Sequence, residues 1–428
     1  MNIRDINIHD FRCFDEKKIS FINSDDKIKN FTAIIGNNGV GKTTILEAIA
    51  KAFVPVLRTI NPNVAGDFFD IKNSDIKNGK LGTAIEISIT LNNKNYEWHN
   101  QRKLASGANI TGVSEIKSQK QIRETLAYIL NDEQGNSSIP VVLYYSINRM
   151  LISLPKRTSS KNKKIKTGKP FEALDNAFSI KNDYRRFFEW FKSEEDIELR
   201  NLRKNPQHIS KQLKLVREVV SLMLNGYFDL RTEIQPVRML ITDGQGNDFD
   251  VTQLSGGYKA IFSLVTDIAS RLALANPKSA NPLLSEGIIL IDEIDLHLHP
   301  KWQKTIVNDL KRTFPNCQFI VTTHSPFIIQ SLDANEIINL EKQSEYSGKY
   351  NGWSIDEIQE YEMGVAKKTP DYIDVLKEFE DAIDSNNFKR AKELFMNLNN
   401  MLHPQSEIKK LLRLDIASLG DNENDKNQ

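Results

Sequence analysis

The sequence predicts an α/β fold built around a parallel sheet, and three observations carry that prediction. Short apolar runs, FTAIIG, IPVVLYYSIN, GIILID and CQFIVTTHSP, have the length and composition of buried strands. Segments with helical spacing stand between them, as parallel strands require. A glycine-rich turn, GNNGVGKTT, joins FTAIIG to TTILEAIAKAFVPVL, in which Ile45, Leu46, Ile49, Ala50 and Phe53 recur at helical intervals.

The remaining elements follow in chain order. The opening IRDINIHDFRCF alternates apolar and polar residues, as a half-buried strand does. Residues 82 to 98 read as two strands joined by an Asn-containing turn. PKRTSSKNKKIKTGK, residues 155–169, has seven basic residues and no acid, the composition of a loop. NDYRRFFEWFKSEEDIELRNLR and ISKQLKLVREVVSLMLNGYF read as helices, as does PKWQKTIVNDLKRTF with Pro300 at its first position. Near the end, DYIDVLKEFEDAIDS and FKRAKELFMNLNNML flank an Asn pair and predict a helical hairpin, followed by a polar, frayed DNENDKNQ.

This gives two parts. Residues 1–345 form a head with a β-rich insertion at about 80–150 and a helical subregion at about 171–230. Residues 346–428 form a C-terminal helical tail. The formal net charge of +1 excludes a global field that would draw the protein to nucleic acid or an anionic membrane. Two cysteines, Cys13 and Cys317, are too few for a disulfide framework or a cysteine-built zinc site. The N-terminal segment lacks a signal-peptide core, and no run approaches the ~18–20 apolar residues of a membrane span. The expectation is a cytoplasmic protein with no membrane partner.

Four motifs carry chemistry. GNNGVGKTT matches G-x-x-x-x-G-K-[ST] between a strand and a helix, the context that gives the pattern meaning. Backbone groups of Gly36, Asn37, Asn38, Gly39, Gly41, Lys42, Thr43 and Thr44 are expected to wrap ATP phosphates. Lys42 would reach the β- and γ-phosphates, and the Thr43 hydroxyl would ligate Mg²⁺. In GIILIDEID, four apolar residues deliver Asp292 and Glu293 to the end of a buried strand, where nucleotide sites of open sheets lie. Asp292 would share the Mg²⁺ with Thr43, and Glu293 would act as general base toward water. LSGGYK, residues 254–259, opens an amphipathic helix with Ser255 as its cap and Gly256 and Gly257 allowing close approach of an anion. His324, at the end of FIVTTHSP, can donate a hydrogen bond to a γ-phosphate. His297 and His299 alternate before Pro300 with no further ligand set beside them, so loop or interface packing is expected of them.

Together these motifs resemble the ABC-type ATPase heads of the SMC, recombination-repair and OLD-like kind. GNNGVGKTT resembles the Walker A loop (36–44), LSGGYKA the signature (254–260), IILIDE the Walker B strand (288–293), the Asp295 segment the D-loop and His324 the switch histidine. The resemblance implies a homodimer or higher oligomer in which Ser255, Gly256 and Gly257 serve the partner copy's ATP. It implies catalytic roles for Glu293, His324 and Lys42. Two features depart from the pattern: Tyr258 follows LSGG, and Gln101, Gln119 and Gln121 are the candidates for a Q-loop without a clear strand end. About 210 residues separate Lys42 from Ser255 and offer no long coiled-coil arms, which disfavours chromosome bridging. DEIDLHLHPKWQ, LYYSINR and FFEWFKSEEDIE narrow the resemblance to the PtuA ATPases of Septu anti-phage systems, which work with a PtuB-like HNH nuclease. The alternatives are an SMC- or repair-like DNA-associated ATPase, and an OLD-like ATPase with its own nuclease. The second is disfavoured because the tail offers no TOPRIM-like segment. Lys156–Lys169 is a candidate DNA contact. Arg12, Arg149 and Lys259 are further positive groups, expected to be structural.

Overall fold

The computed structural model describes residues 1–104, 120–130, 139–148, 170–179, 184–342, 346–365 and 368–425. The Lys156–Lys169 loop, Arg149 and Gln119 lie outside the described residues. The chain divides into a unit of residues Met1–Ile355 and a second of Asp356–Gln428.

The first unit begins with β1 (Asn2–Phe11), β2 (Phe14–Ser20), β3 (Phe31–Ile35), α1 (Lys42–Leu57), β4 (Gly82–Leu91) and β5 (Lys94–Lys103). It continues through α2 (Lys120–Leu130), β6 (Val141–Tyr145), β7 (Phe178–Ser179), α3 (Tyr184–Leu202) and α4 (Lys211–Met223). Then come β8 (Tyr227–Ile234), β9 (Val237–Asp243), β10 (Asp248–Asp250), α5 (Gly256–Ala275) and β11 (Gly287–Ile291). The unit ends with α6 (Pro300–Gln303), α7 (Ile306–Thr313), β12 (Cys317–Thr322), α8 (Pro326–Gln330) and β13 (Ile337–Asn339).

The expected parallel sheet is present, in strand order β13-β3-β12-β11-β6-β7. Every neighbouring pair in it is parallel. All residues of β3, β6, β11 and β12 are buried, which is why these strands read as continuous apolar runs. The alternating segments instead form an antiparallel sheet, β2-β1-β4-β5. There Ile6, Ile8, Ile85, Ile87 and Trp98 join the core. Asn92 and Asn93 at the β4–β5 turn both take left-handed φ, 49° and 59°, the conformation a two-residue hairpin needs and Asn tolerates. α1 and α5 pack into the same core, and 17 residues of α5 are buried.

A third sheet, β10-β9-β8, was not foreseen. Its signal was available in TDGQGN after the alternating VRMLIT: the Asp243 carboxylate accepts the N–H groups of Gln245 and Asn247 at 2.8 and 2.9 Å and closes the turn.

The boundary falls within one turn, α9 (Ile355–Glu357), and the second unit opens with a π-helical stretch, Ile358–Glu362. The second unit holds α10 (Pro370–Asp384), α11 (Phe388–Met401) and α12 (Ile408–Asp425). Two helices were expected and three are found. Leu412 is buried, and Ile408 and Ile416 pack against the cluster that holds Phe379, Leu394 and Leu398, so the last helix completes a small core of its own. The DNENDKNQ segment expected to fray continues that helix as far as Asp425.

Candidate nucleotide site

β3 ends where the glycine-rich loop begins, and the loop's backbone has room for nothing else at its last turn. Gly41 has φ +101°, and a Cβ there would lie 2.5 Å from the Phe14 ring and 2.8 Å from Cys13 Sγ. The turn between β1 and β2 therefore sits directly on the loop. Lys42 opens α1, and its Nζ donates to the carbonyls of Gly36 and Asn37 at 2.8 and 2.9 Å. Burial lowers the Lys42 pKa, while the carboxylates of Glu293, Asp292, Glu341 and Asp295 act in the opposite direction and favour its charge.

Asp292 stands at the end of β11. Its N–H donates to Tyr145 O at 2.8 Å. The Thr43 hydroxyl lies 3.0 Å from both of its carboxylate oxygens, and the Thr322 hydroxyl donates to Oδ1 at 2.6 Å. Glu293 follows with φ +47°, a left-handed backbone that favours glycine and that other residues adopt rarely, and its N–H is held by Thr322 Oγ1 at 2.7 Å. Two hard oxygen donors, Thr43 and Asp292, thus converge at a loop and helix end that favour anions, a set suited to a small divalent cation between protein and phosphate.

The next shell of the expected site is equally close-knit. Asp295 Oδ1 accepts from the Thr323 hydroxyl at 2.6 Å and from the His324 N–H at 3.3 Å. The half-buried His324 is thereby fixed at the end of β12 beside the D-loop segment. His299 caps α6 by accepting from Lys301 N–H through Nδ1 at 3.3 Å, and His297 is exposed with φ +66°.

Ser255 corrects one expectation. It occupies the N-cap position of α5, with φ −63° and ψ 160°, yet its side chain makes no capping hydrogen bond. Ser255 and Gly256 are exposed, whereas Gly257 is buried. The structure thus gathers Lys42, Thr43, Asp292 and Glu293 in one place and joins Asp295 to His324. Among the described residues, Ser255 and Gly256 make no hydrogen bond to that group. Tyr258, the departure from the usual signature, packs edge-on against Trp302 with ring centroids 4.3 Å apart.

The candidate glutamines fall elsewhere. Gln101 pairs with Ala84 in the antiparallel sheet, and Gln121 is on α2. On the side of β11 away from β12 lies β6, whose last residue, Tyr145, pairs with Ile291 and is followed by Ser146, Ile147 and Asn148. Arg12 binds Asp75 at 2.8 Å and Glu47 at 2.6 Å, a structural role as expected.

Three participants were not read from the sequence. Thr322 orders both Asp292 and Glu293; its signal was the threonine pair closing an apolar strand. Tyr145 offers its carbonyl to Asp292 and its hydroxyl, at 2.8 Å, to the buried Asp267 of α5. Glu341 accepts the Asn37 N–H at 2.7 Å and its side-chain amide at 2.9 Å, tying the strand end after β13 to the glycine-rich loop.

Residues 31–330 match the family described as "AAA domain, putative AbiEii toxin, Type IV TA system". The chain is 28% identical to "Retron Ec83 probable ATPase" of Escherichia coli over 97% of its length and 86% of that protein. It is 30% identical to "Retron Vc95 probable ATPase" of Vibrio cholerae serotype O1 biovar El Tor, over 79% of this chain and 73% of that one. With "Septu protein PtuA" of Bacillus thuringiensis it shares 29% identity over 90% of this chain and 92% of that one. With the parallel sheet and loop geometry established, the chain belongs to this AAA-domain family and is an ATPase of the α/β P-loop class.

Proposed function

We propose that the chain is the ATP-hydrolysing subunit of a cytoplasmic anti-phage defence complex, regulating a separate HNH nuclease through nucleotide-dependent dimerisation. The observation that carries this reading is the convergence of Lys42, Thr43, Asp292 and Glu293 where β3 and β11 end, together with an exposed Ser255 whose hydroxyl does not cap its own helix. The defence role and the PtuB-like partner rest on the likeness to Septu PtuA.

In this reading Gly36, Asn37, Asn38, Gly39, Gly41, Lys42, Thr43 and Thr44 cradle the phosphates of ATP. Thr43 and Asp292 hold Mg²⁺, which when bound neutralises charge on the β- and γ-phosphates. Glu293 orients the attacking water and accepts its proton. His324 donates to the γ-phosphate, and Ser255, Gly256 and Gly257 close over the nucleotide of the second copy, with Asp295 shaping the contact between copies. The C-terminal helices serve assembly or nuclease docking, and Lys156–Lys169 contacts DNA phosphates. An intrinsic nuclease finds no support, because the described residues after β13 hold helices and loops. No described helix is long and apolar enough to cross a membrane.

Glu293→Gln tests the reading. With ATP and Mg²⁺ it should retain unhydrolysed nucleotide and elute as a stable dimer in size exclusion with light scattering. Adding Ser255→Arg should return it to the state seen without ATP. Wild-type turnover by Glu293→Gln, or a dimer indifferent to Ser255→Arg, overturns the assignment.

A further inference from the structure

The switch turn and the signature helix are different elements, yet one four-residue helix reaches Ser325, next to His324, in the first and Gly257 in the second. We propose that α6 relays the state of the chain's own nucleotide site to its signature residues, with Gln303 and Trp302 as positioning residues. The proposal rests on the reading above, in which Ser255, Gly256 and Gly257 serve the second copy.

Gln303 and Trp302 are neighbours on a helix, so their side chains leave it about 100° apart. Gln303 faces the switch turn. Its Oε1 accepts the Ser325 hydroxyl at 2.7 Å, and its Nε2 donates to Leu298 O at 2.8 Å and to Asp295 O at 3.4 Å. Ser325 follows His324, whose N–H is held by the Asp295 carboxylate. Histidine turn, D-loop and α6 are thus linked in a closed ring of hydrogen bonds. A displacement of His324 by a phosphate cannot be absorbed between them without breaking one of these bonds.

Trp302 faces the signature. Its ring meets Tyr258 edge-on, at 4.3 Å and 85°, and Tyr258 continues to Tyr227 at 5.1 Å. A Cβ at Gly257 would lie 2.6 Å from the Trp302 ring and 3.0 Å from His297 O. Glycine is therefore required here by close approach, for the φ of Gly257 is not in the left-handed range. His297 itself adopts φ +66°, so a strained backbone places the carbonyl that closes off the space beside Gly257. The packed Trp302–Tyr258 ring pair, with no free space for a Cβ at Gly257, transmits a shift of α6 to the start of α5, because packed groups deform little.

A merely structural α6 predicts a different outcome from a relay, and the full-length chain distinguishes them. Gln303→Ala and Trp302→Ala should bind a fluorescent ATP analogue within about twofold of wild type while kcat falls about tenfold. Trp302→Phe, which keeps an aromatic edge for Tyr258, should recover most of the rate. In a Glu293→Gln background, Gln303→Ala should load ATP and fail to dimerise. Wild-type kcat in both alanine variants, or a loss of rate matched by loss of nucleotide affinity or of thermal stability, overturns the relay. Ser255→Arg separates the two levels. If it leaves hydrolysis intact, the signature reading itself fails. If it abolishes hydrolysis while Gln303→Ala and Trp302→Ala keep the wild-type kcat, the relay alone fails.

Discussion

Asp292 and Asp267 are both buried aspartates bound to Tyr145, and they are built for opposite ends. Asp292 receives the hydroxyls of Thr43 and Thr322 at the open end of the sheet. Asp267, three turns into α5, receives Arg186 at 2.6 Å, Arg271 at 2.8 Å and the Tyr145 hydroxyl at 2.8 Å. Arg271 also reaches the carbonyls of Ala173 and Asp175, so one carboxylate gathers β6, α3, α5 and the turn at Pro170–Leu174. Burial opposes ionisation of Asp267, but the guanidiniums of Arg271 and Arg186 hold its pKa well below the ordinary carboxylate range. Its charge is consumed inside the fold. Hydroxyl donors, by contrast, orient a carboxylate without bringing a charge of their own.

Substitutions can break this contrast, and on stability they rank as follows. Asp267→Ala strands two buried guanidiniums and should cost about 3–5 kcal/mol, read as a large drop in the thermal or denaturant midpoint. An unaltered midpoint would make the cluster ornamental. The pH dependence has a fixed sign. With its folded pKa depressed, Asp267 contributes fully above the unfolded carboxylate pKa of about 3.9 and loses that contribution as pH falls through it toward the folded value. Asp267→Asn should flatten the acid limb of the stability curve.

Tyr145→Phe removes one hydroxyl from the same cluster and should cost about 1 kcal/mol in denaturant titration, with nucleotide binding preserved. A larger loss would mean that the phenol, rather than the arginines, organises Asp267. Asp292→Asn sharpens the contrast most finely. Because an amide oxygen still accepts from Thr322, the midpoint should move by under about 1 kcal/mol, while Mg²⁺-dependent ATP turnover falls at least about 100-fold. Retained turnover would remove Asp292 from the metal.

How much of this was legible follows from the same comparison. The glycine-rich loop and the acids of β11 are readable because the chemistry lies within a few consecutive residues on a strand, a turn and a helix. The Asp267 cluster is not. Its members come from residues 145, 186, 267 and 271, and they meet only through the packing of α5 against β6 and of α3 on α5. Thr322 lay in a quoted segment, but its role depends on β12 running beside β11. Ser255 misled for a related reason: residue type and position predict a cap, but whether the hydroxyl turns inward is decided by its surroundings. The third helix of the tail was hidden by its polar end, although Ile408, Leu412 and Ile416 already carried helical spacing.

The backbone at Glu293 carries a consequence for how this position can change over generations. At φ +47° the local conformation favours glycine, and a side chain there is held against a standing conformational cost of about 1 kcal/mol or more. Selection for a tougher fold and selection for hydrolysis therefore pull this one residue in opposite directions. A lineage that no longer needed ATP turnover would be free to drift to glycine here and would gain stability as it lost its water-activating carboxylate.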